Sequence, residues 1–328
     1  MIFMAFVILT IIFSSGFGIE SYANPLNDDL IEVVDSLPYS KYIRNTNYRN
    51  AEGSVPSNKD PKQLGINEPL EEETVEHILL VGIDSRRKDF KNGRADTIIL
   101  ASIDKLDGEI KLTSIMRDTY VKIPKHKNNR INTAYAFGGA ELLKSTVNKN
   151  FNLTVDKHVV IDFRGFEKVI DTLGGIDVDI KKYEVNELNR CISGLGGKRA
   201  NFVRQSGTNH LNGEQALAYC RIRKVGNGDY ERTERQRRVL KSIIGKMNEL
   251  KFSQYPKIIA NMYPYVKTNI SNAESLKLIY NYYDVDDWTV ESMQIPTDQS
   301  GKSRIINSMW VIDPDIDECI KCIQDFIN

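Results

Sequence analysis

Three short apolar runs stand close together at Ile78–Ile83, Thr97–Ile103 and Ile110–Met116, with Asp84, Asp96 and Arg117 at their ends. Runs of this length, rich in Ile, Leu and Val, predict buried strands rather than helices. Leu106-Asp107-Gly108 supplies a turn between the second and third. If neighbouring strands run antiparallel, the end of the first, the start of the second and the end of the third share one sheet edge. Asp84, Asp96 and Arg117 are therefore expected to converge. The intervening loop from Ser85 to Ala95 is long for a simple reversal and carries Arg86, Arg87, Lys88 and Arg94, the composition of a ligand loop.

Beyond these runs the pattern alternates. Asn132–Phe151 predicts a helix, Lys157–Ile161 a strand, Phe163–Leu173 a helix, and Ile176–Ile180 a strand after the Gly174-Gly175 turn. Further helices are expected over 229–250, 254–262 and 272–283, with strands near 288–295 and 309–312. Alternation of this kind predicts an α/β fold, an α-β-α sandwich with a central mixed sheet. The chain of 328 residues, 41% of them hydrophobic, is long enough to bury one large core. No internal repeat is visible, and no domain boundary after residue 77.

Met1 to Gly18 carries no charged side chain, and the first is Glu20. About 18 residues reach the lower limit for spanning a hydrocarbon layer, while Ser21-Tyr22-Ala23 offers a small-x-small cleavage signal. Residues 1–19 thus read as a membrane anchor or a signal segment, and either exports the rest of the chain. Residues 20–76 are polar, with Pro25, Pro38, Pro56, Pro61 and Pro69 spaced along them. They read as an extracytoplasmic stalk with at most one short helix near Leu30–Leu37. Residues 77–328 form the expected folded domain, with core motifs over 77–250 and C-terminal helices and strands over 251–328. In an exported chain Cys191, Cys220, Cys319 and Cys322 permit three disulfide pairings that the spacing leaves open. Cys319 and Cys322 fall on a short amphipathic C-terminal helix, and His77, His126, His158 and His210 are scattered singly, so neither set has metal-ligand spacing.

The 44 basic and 44 acidic side chains cancel, so no global field draws in nucleic acid and anion binding must come from local clustering. Arg221 to Lys241 holds such a cluster, with eight basic residues against three acids. At 100° per residue, Val239, Ile243, Met247 and Leu250 define an apolar helix face that also carries Arg232 and Gln236, while Glu234, Arg237 and Arg238 point away. An inward-facing Arg232 near a helix start needs a partner, either a bound anion or the neighbouring Asp229. The helix N-terminus itself favours an anion. Arg221 and Arg223 precede the helix at period-2 spacing and share one side of an extended segment, where their planar forks suit phosphate oxygens. Two carboxylates among several arginines imply either a salt-bridge network or a metal-bridged polyphosphate; Asp84 and Asp96 match the second, because Mg²⁺ commonly takes one or two carboxylates plus phosphate oxygens.

Seven ordered motifs together resemble one family. They are Gly82-Ile-Asp84-Ser-Arg86, Arg94-Ala-Asp96-Thr-Ile-Ile-Leu100, Ser114-Ile-Met-Arg117-Asp118-Thr119, Ile131-Asn-Thr-Ala-Tyr135 with Gly138-Gly139, Leu173-Gly-Gly-Ile-Asp-Val178, Leu211-Asn-Gly-Glu-Gln-Ala-Leu-Ala-Tyr219, and Arg221-x-Arg223 followed by Asp229-x-x-Arg232-x-x-Arg235-Gln236. Over roughly residues 76 to 250 the chain resembles the LytR-CpsA-Psr family, with Met116 standing where many relatives have Pro. The resemblance implies a phosphotransferase on the outer face of a Gram-positive cytoplasmic membrane. Such an enzyme moves a teichoic acid, capsule or similar glycopolymer from a polyprenyl-pyrophosphate carrier to peptidoglycan.

By the same resemblance, Asp84 and Asp96 are the Mg²⁺ ligands, with Mn²⁺ as the substitute cation. Arg94, Arg117, Arg221 and Arg223 bind the pyrophosphate; Arg232, Arg235 and Gln236 complete the head-group site; and an apolar tunnel takes the lipid. Asp84, Asp96, Arg94 and Arg117 are the expected catalytic set. Charge stabilisation and positioning would supply most of the rate, and Asp84 or Asp96 could accept the hydroxyl proton. The rival readings are pyrophosphate hydrolysis, a transcription regulator, and a lipid-binding scaffold without turnover. An uncharged leader and an inward Arg232 speak against DNA as partner.

Overall fold

In the computed structural model the described residues are 75–84, 93–104, 106–249, 265–271, 274 and 288–327. The expected membrane segment, residues 20–74 of the expected stalk, the helix expected over 254–262 and all but residue 274 of that expected over 272–283 lie outside them; Val75 and Glu76, assigned to the stalk, belong to the first strand. Among the described residues no helix is long and apolar enough to cross a membrane.

The three apolar runs form β1 (Val75–Ile83), β2 (Ala95–Asp104) and β3 (Glu109–Ile115). Short strands β4 (Tyr120–Val121) and β5 (Asn129–Arg130) lead into α1 (Asn132–Phe151). Then come β6 (Lys157–Asp162), α2 (Phe163–Thr172), β7 (Ile176–Ile180), α3 (Val185–Gly194), β8 (Gly207–Leu211), α4 (Gly213–Cys220) and α5 (Gly228–Asn248). The remaining described elements are β9 (Val266–Thr268), β10 (Thr289–Ile295), β11 (Gly301–Ile306), β12 (Met309–Pro314) and α6 (Ile316–Ile327).

Six strands make the central sheet in the order β10-β3-β2-β1-β6-β9. β1–β2, β2–β3 and β6–β9 are antiparallel, whereas β1–β6 and β3–β10 are parallel, so the sheet is mixed. The antiparallel pairing expected of the first three runs holds. On one face, Leu79, Val81, Ile83, Leu100 and Ile115 pack with Leu143, Val147 and Phe151 of α1 and with Cys319 and Ile323 of α6. On the other, Leu80, Ile99, Val159 and Ile161 face Phe166 of α2, Leu217 of α4 and Leu240 and Ile243 of α5 across a cleft. This is the α-β-α sandwich, one face of the sheet sealed and the other left partly open.

Residues 132–151 do not form one straight helix. Gly138 (φ −151°, ψ 24°) and Gly139 (φ 64°, ψ −157°) break it, and the Gly139 conformation is one that a side chain would oppose. The pattern reading also passes over α4, which is short and buried around most of its circumference and so has little periodicity to detect. Its start is nevertheless written locally as a capping box: the Asn212 side chain accepts from the Gln215 N–H, and the Gln215 side chain accepts from the Asn212 N–H. All four cysteines are free thiols, so none of the three disulfide pairings is formed.

Helix α4 is seated against α2 by a close backbone approach. A Cβ at Gly213 would lie 2.3 Å from the Glu167 carbonyl oxygen, and the Gly213 N–H donates to Asp171 Oδ1 at 2.8 Å. Gly213→Ala is expected to force the two helices apart at a cost of about 1–3 kcal/mol. Thermal melts should show a midpoint lower by several degrees, and an unchanged midpoint would contradict the close approach.

Candidate functional site

The sheet edge expected to gather charge does so through an irregularity. Gly82 pairs with Thr97, but Ile83 pairs with Ala95, so Asp96 is the extra residue of a β-bulge. Bulges re-aim side chains and are common beside active sites. Here the bulge leaves Asp96 beside Asp84, whose N–H donates to the Arg94 carbonyl at 3.1 Å to close the strand end. Gly82 lets the strands approach closely here, since a Cβ there would sit 3.0 Å from Thr97 Cβ. Arg117, at the end of β3, donates from Nη1 to Asp96 Oδ1 at 2.5 Å.

A second carboxylate organises the arginines that come from further along the chain. Arg223 grips Asp229 with two bonds, Nε to Oδ1 at 2.8 Å and Nη2 to Oδ2 at 3.2 Å. Arg117 Nη2 lies 3.5 Å from Asp229 Oδ2, and Arg232 Nε lies 3.5 Å from Oδ1. Burial opposes ionisation of Asp229, but Arg232, Arg117 and Arg223 outweigh it and hold the carboxyl below its ordinary value. Burial also works against charge on Arg117, and Asp96, Asp118 and Asp229 overcome it, leaving the guanidinium above the ordinary value. Arg232 goes the other way: burial, followed by the charge of Arg117, lowers it. Asp118, which meets Arg117 Nε and lies against Asp229, is pushed up chiefly by burial.

Three buried polar atoms at this edge lack a hydrogen-bond partner: Arg232 Nε, Arg130 Nε and Asn132 Oδ1. Unsatisfied buried groups are uncommon and call for an explanation. Arg232 lines the apolar cleft of one hollow, and Arg130 and Asn132 line its polar mouth; the two guanidinium nitrogens are donors and the Asn132 oxygen is an acceptor.

The hollow has two parts. A polar mouth is lined by Asp84, Arg94, Asp96, Arg117, Asp118, Arg130, Asn132 and Arg223. It shares Asp84, Asp96, Arg117 and Arg223 with an apolar cleft of about 270 Å³ that runs between the sheet and α2, α4 and α5. Arg221 stands over the Phe163 ring, 4.7 Å from its centroid, at the cleft wall. Gln236 and Arg232 also line the cleft. Cys220 lies in the same wall, and burial pushes its thiol up to about 12, so it acts as a small apolar group.

The structure therefore brings Asp84, Arg94, Asp96, Arg117, Arg221, Arg223, Arg232 and Gln236 to one hollow. Arg235 is turned elsewhere. Its side chain is fully buried in ion pairs with Glu184 and Glu231, on the side of α5 toward α3 and α4. Arg237, expected to point away, is also buried, and burial lowers its guanidinium to about 10. The single-face reading fails there because α5 is covered on a further side by β10, where the Thr233 hydroxyl donates to Gln294 Oε1 at 2.8 Å. Asp118, Arg130 and Asn132 join the hollow beyond the expected set, and Asp229, expected as a possible partner of Arg232, pairs with that arginine and with Arg117 and Arg223. Asp118 and Asn132 lie inside family motifs, and Arg130 stands immediately before one.

These features define a class: an α/β sandwich protein with an arginine-lined polar mouth opening into an apolar cleft. The sequence profile of the LytR_cpsA_psr family matches residues 39–324, and the chain belongs to that family. It is 32% identical over 246 residues to the polyisoprenyl-teichoic acid–peptidoglycan teichoic acid transferase TagU of Bacillus cereus, covering 74% of this chain and 76% of TagU. It is 31% identical over 245 residues to the regulatory protein MsrR of Staphylococcus aureus (strain COL), covering 74% and 71%. Among solved structures it resembles TagT bound to LI-WTA, with a TM-score of 0.64, 29% identity, and 80% and 94% of the two chains covered. It also resembles the family protein YwtF (TagT) with bound octaprenyl pyrophosphate lipid, with a TM-score of 0.60, 28% identity and the same coverage.

The charge at Asp229 gives a pH test. Because its folded value is depressed, its contribution is present above the unfolded value and is lost as pH falls through the folded one. Thermal midpoints of the wild type should fall as pH is lowered below about 4, and Asp229→Asn should flatten that acid limb. Identical slopes would remove Asp229 from its place among the arginines.

Proposed function

We propose that this protein is a phosphotransferase that moves a glycopolymer from a polyprenyl-pyrophosphate carrier to peptidoglycan, leaving a phosphodiester link. The observation that carries this reading is the continuity of an apolar cleft with a mouth lined by Arg94, Arg117, Arg130 and Arg223, since a prenyl pyrophosphate needs both in that order. The family's named teichoic acid transferase and its octaprenyl-pyrophosphate complex support the same substrate class.

In the proposed reaction, Arg117, Arg223 and Arg232 bind the pyrophosphate oxygens, with Arg94, Arg221 and Gln236 completing the contact. A hydroxyl oxygen of the peptidoglycan sugar attacks the phosphorus nearest the glycan. The bond from that phosphorus to the bridging oxygen breaks, and polyprenyl phosphate leaves with the electron pair. The hydroxyl proton passes to an aspartate at the mouth, Asp84 or Asp96. Guanidiniums already fixed by carboxylates need little reorganisation as negative charge builds on the leaving phosphate.

Asp84 and Asp96 offer hard oxygen donors at one mouth beside the arginines, a donor set that fits Mg²⁺ or Mn²⁺. A cation held there would supply further neutralisation of the phosphate oxygens. Residues 1–19 would tether the domain on the outer face of the cytoplasmic membrane, with residues 20–76 as the stalk.

The full chain, given a polyprenyl-pyrophosphate glycan, Mg²⁺ and peptidoglycan, should form the glycan–peptidoglycan phosphodiester. Asp96→Ala and Arg117→Ala should each lower kcat/KM by about 10²–10³, with the more exposed Arg223→Ala as a variant less prone to fold loss. Undiminished transfer in all three would remove the assigned site. Free phosphorylated glycan as the main product in the presence of acceptor would make the protein a hydrolase instead.

A further inference from the structure

We propose that Arg235 is a positioning residue that holds the segment bearing Arg221 and Arg223 in place, an inference that rests on reading the mouth as a pyrophosphate site. Its guanidinium is fully buried and spreads its donors over three pieces of the chain. Nε donates to Glu184 Oε1 at 2.8 Å, at the start of α3. Nη2 donates to Glu231 Oε2 at 2.6 Å, one turn earlier in α5. Nη1 donates to the Ile222 carbonyl at 3.0 Å, and Nη2 reaches the Val225 carbonyl at 3.5 Å.

Those two carbonyls belong to the connection between α4 and α5, which carries both arginines. The connection has little regular structure, and Gly226 (φ 69°) and Gly228 (φ 56°) turn it through the left-handed region. Glu231 adds a third hold by accepting from the Asn227 N–H at 3.2 Å. Ile222 is fully buried while Arg221 and Arg223 on either side are exposed. Fixing the Ile222 carbonyl from below therefore fixes the direction in which its two neighbours leave the backbone. Glu184 is itself tied down, accepting from the Tyr219 hydroxyl at 3.1 Å and from the Lys181 N–H at 2.9 Å. Arg235 thus anchors the backbone of a loop whose other ties, Arg223 to Asp229 and Arg221 on Phe163, run through the side chains that it positions. A lysine would keep the charge opposite Glu184 but cannot reproduce a planar fork that serves two carbonyls and two carboxylates.

The test uses the full chain in detergent, with a C40 prenyl pyrophosphate and the prenyl alcohol of the same length as probes. Arg235→Lys should weaken pyrophosphate binding about tenfold, leave alcohol binding unchanged, and speed hydrogen exchange at the amides of residues 222–227. In an Arg221→Ala, Arg223→Ala background the same lysine should change pyrophosphate affinity by less than about twofold, because a positioning residue acts through the groups it positions. An equal loss in both backgrounds, an equal loss for both probes, or unchanged exchange would each overturn the proposal. If Arg235→Lys does not fold, Glu231→Gln should give a smaller rise in exchange over the same amides, and no rise would count against the proposal. A wild type that binds both probes equally would overturn the head-group reading instead, and exchange alone would then decide Arg235.

Discussion

Several guanidiniums cannot sit side by side in a half-buried mouth without negative charge between them, and the site is arranged around that constraint. Asp229 answers it for Arg223, Arg117 and Arg232, while Asp96 and Asp118 do so for Arg117 from other directions. Each carboxylate reaches the mouth from a different element: the bulge of β2, the end of β3 and the first turn of α5. The ion pairs therefore bind the sheet edge to the helix layer as well as shaping a ligand site. Because burial weakens screening, the same pairs leave strong fields at the mouth.

The two halves of the hollow have opposite chemistry, and the fold explains why they adjoin. Strands β1 and β2 carry apolar side chains along the cleft, and Asp84 just after β1 and Asp96 at the start of β2 lie at the same end, so the boundary between apolar and charged surroundings coincides with that end of the strands. Arg221 over Phe163 stands at that boundary, with its charge available to the solvent side and its plane against an aromatic face.

Helix α5 shows how one element can serve two purposes. Arg232 and Gln236, one turn apart, face the cleft, whereas Arg235 and Glu231 face α3 and α4 and brace the preceding loop. The chemistry of arginine suits both roles, since the same planar fork that reads phosphate oxygens also reads backbone carbonyls. Type, spacing and depth of burial do not separate these roles, since both arginines are buried; what each is buried against does.

Much of the sheet was legible from local pattern. The apolar runs 78–83, 97–103 and 110–116 are short and bounded by turn residues, and strand sterics act over that same short range, so their existence could be read, while their antiparallel order was a supposition that the ladders bear out. From them followed the convergence of Asp84, Asp96 and Arg117. Helical phase likewise turned Arg232 and Gln236 inward, because an isolated helix has one fixed period. Tertiary structure decided the rest. The bulge at Asp96 depends on the register between two strands, and the burial of Arg237 depends on β10 closing over a helix from far away in sequence. The fate of Arg235 rested on Glu184, fifty-one residues before it. A sequence shows which charges a chain carries and with what period; whether a given arginine meets a ligand or a carboxylate is settled by the elements that bury it, through the desolvation that only packing imposes.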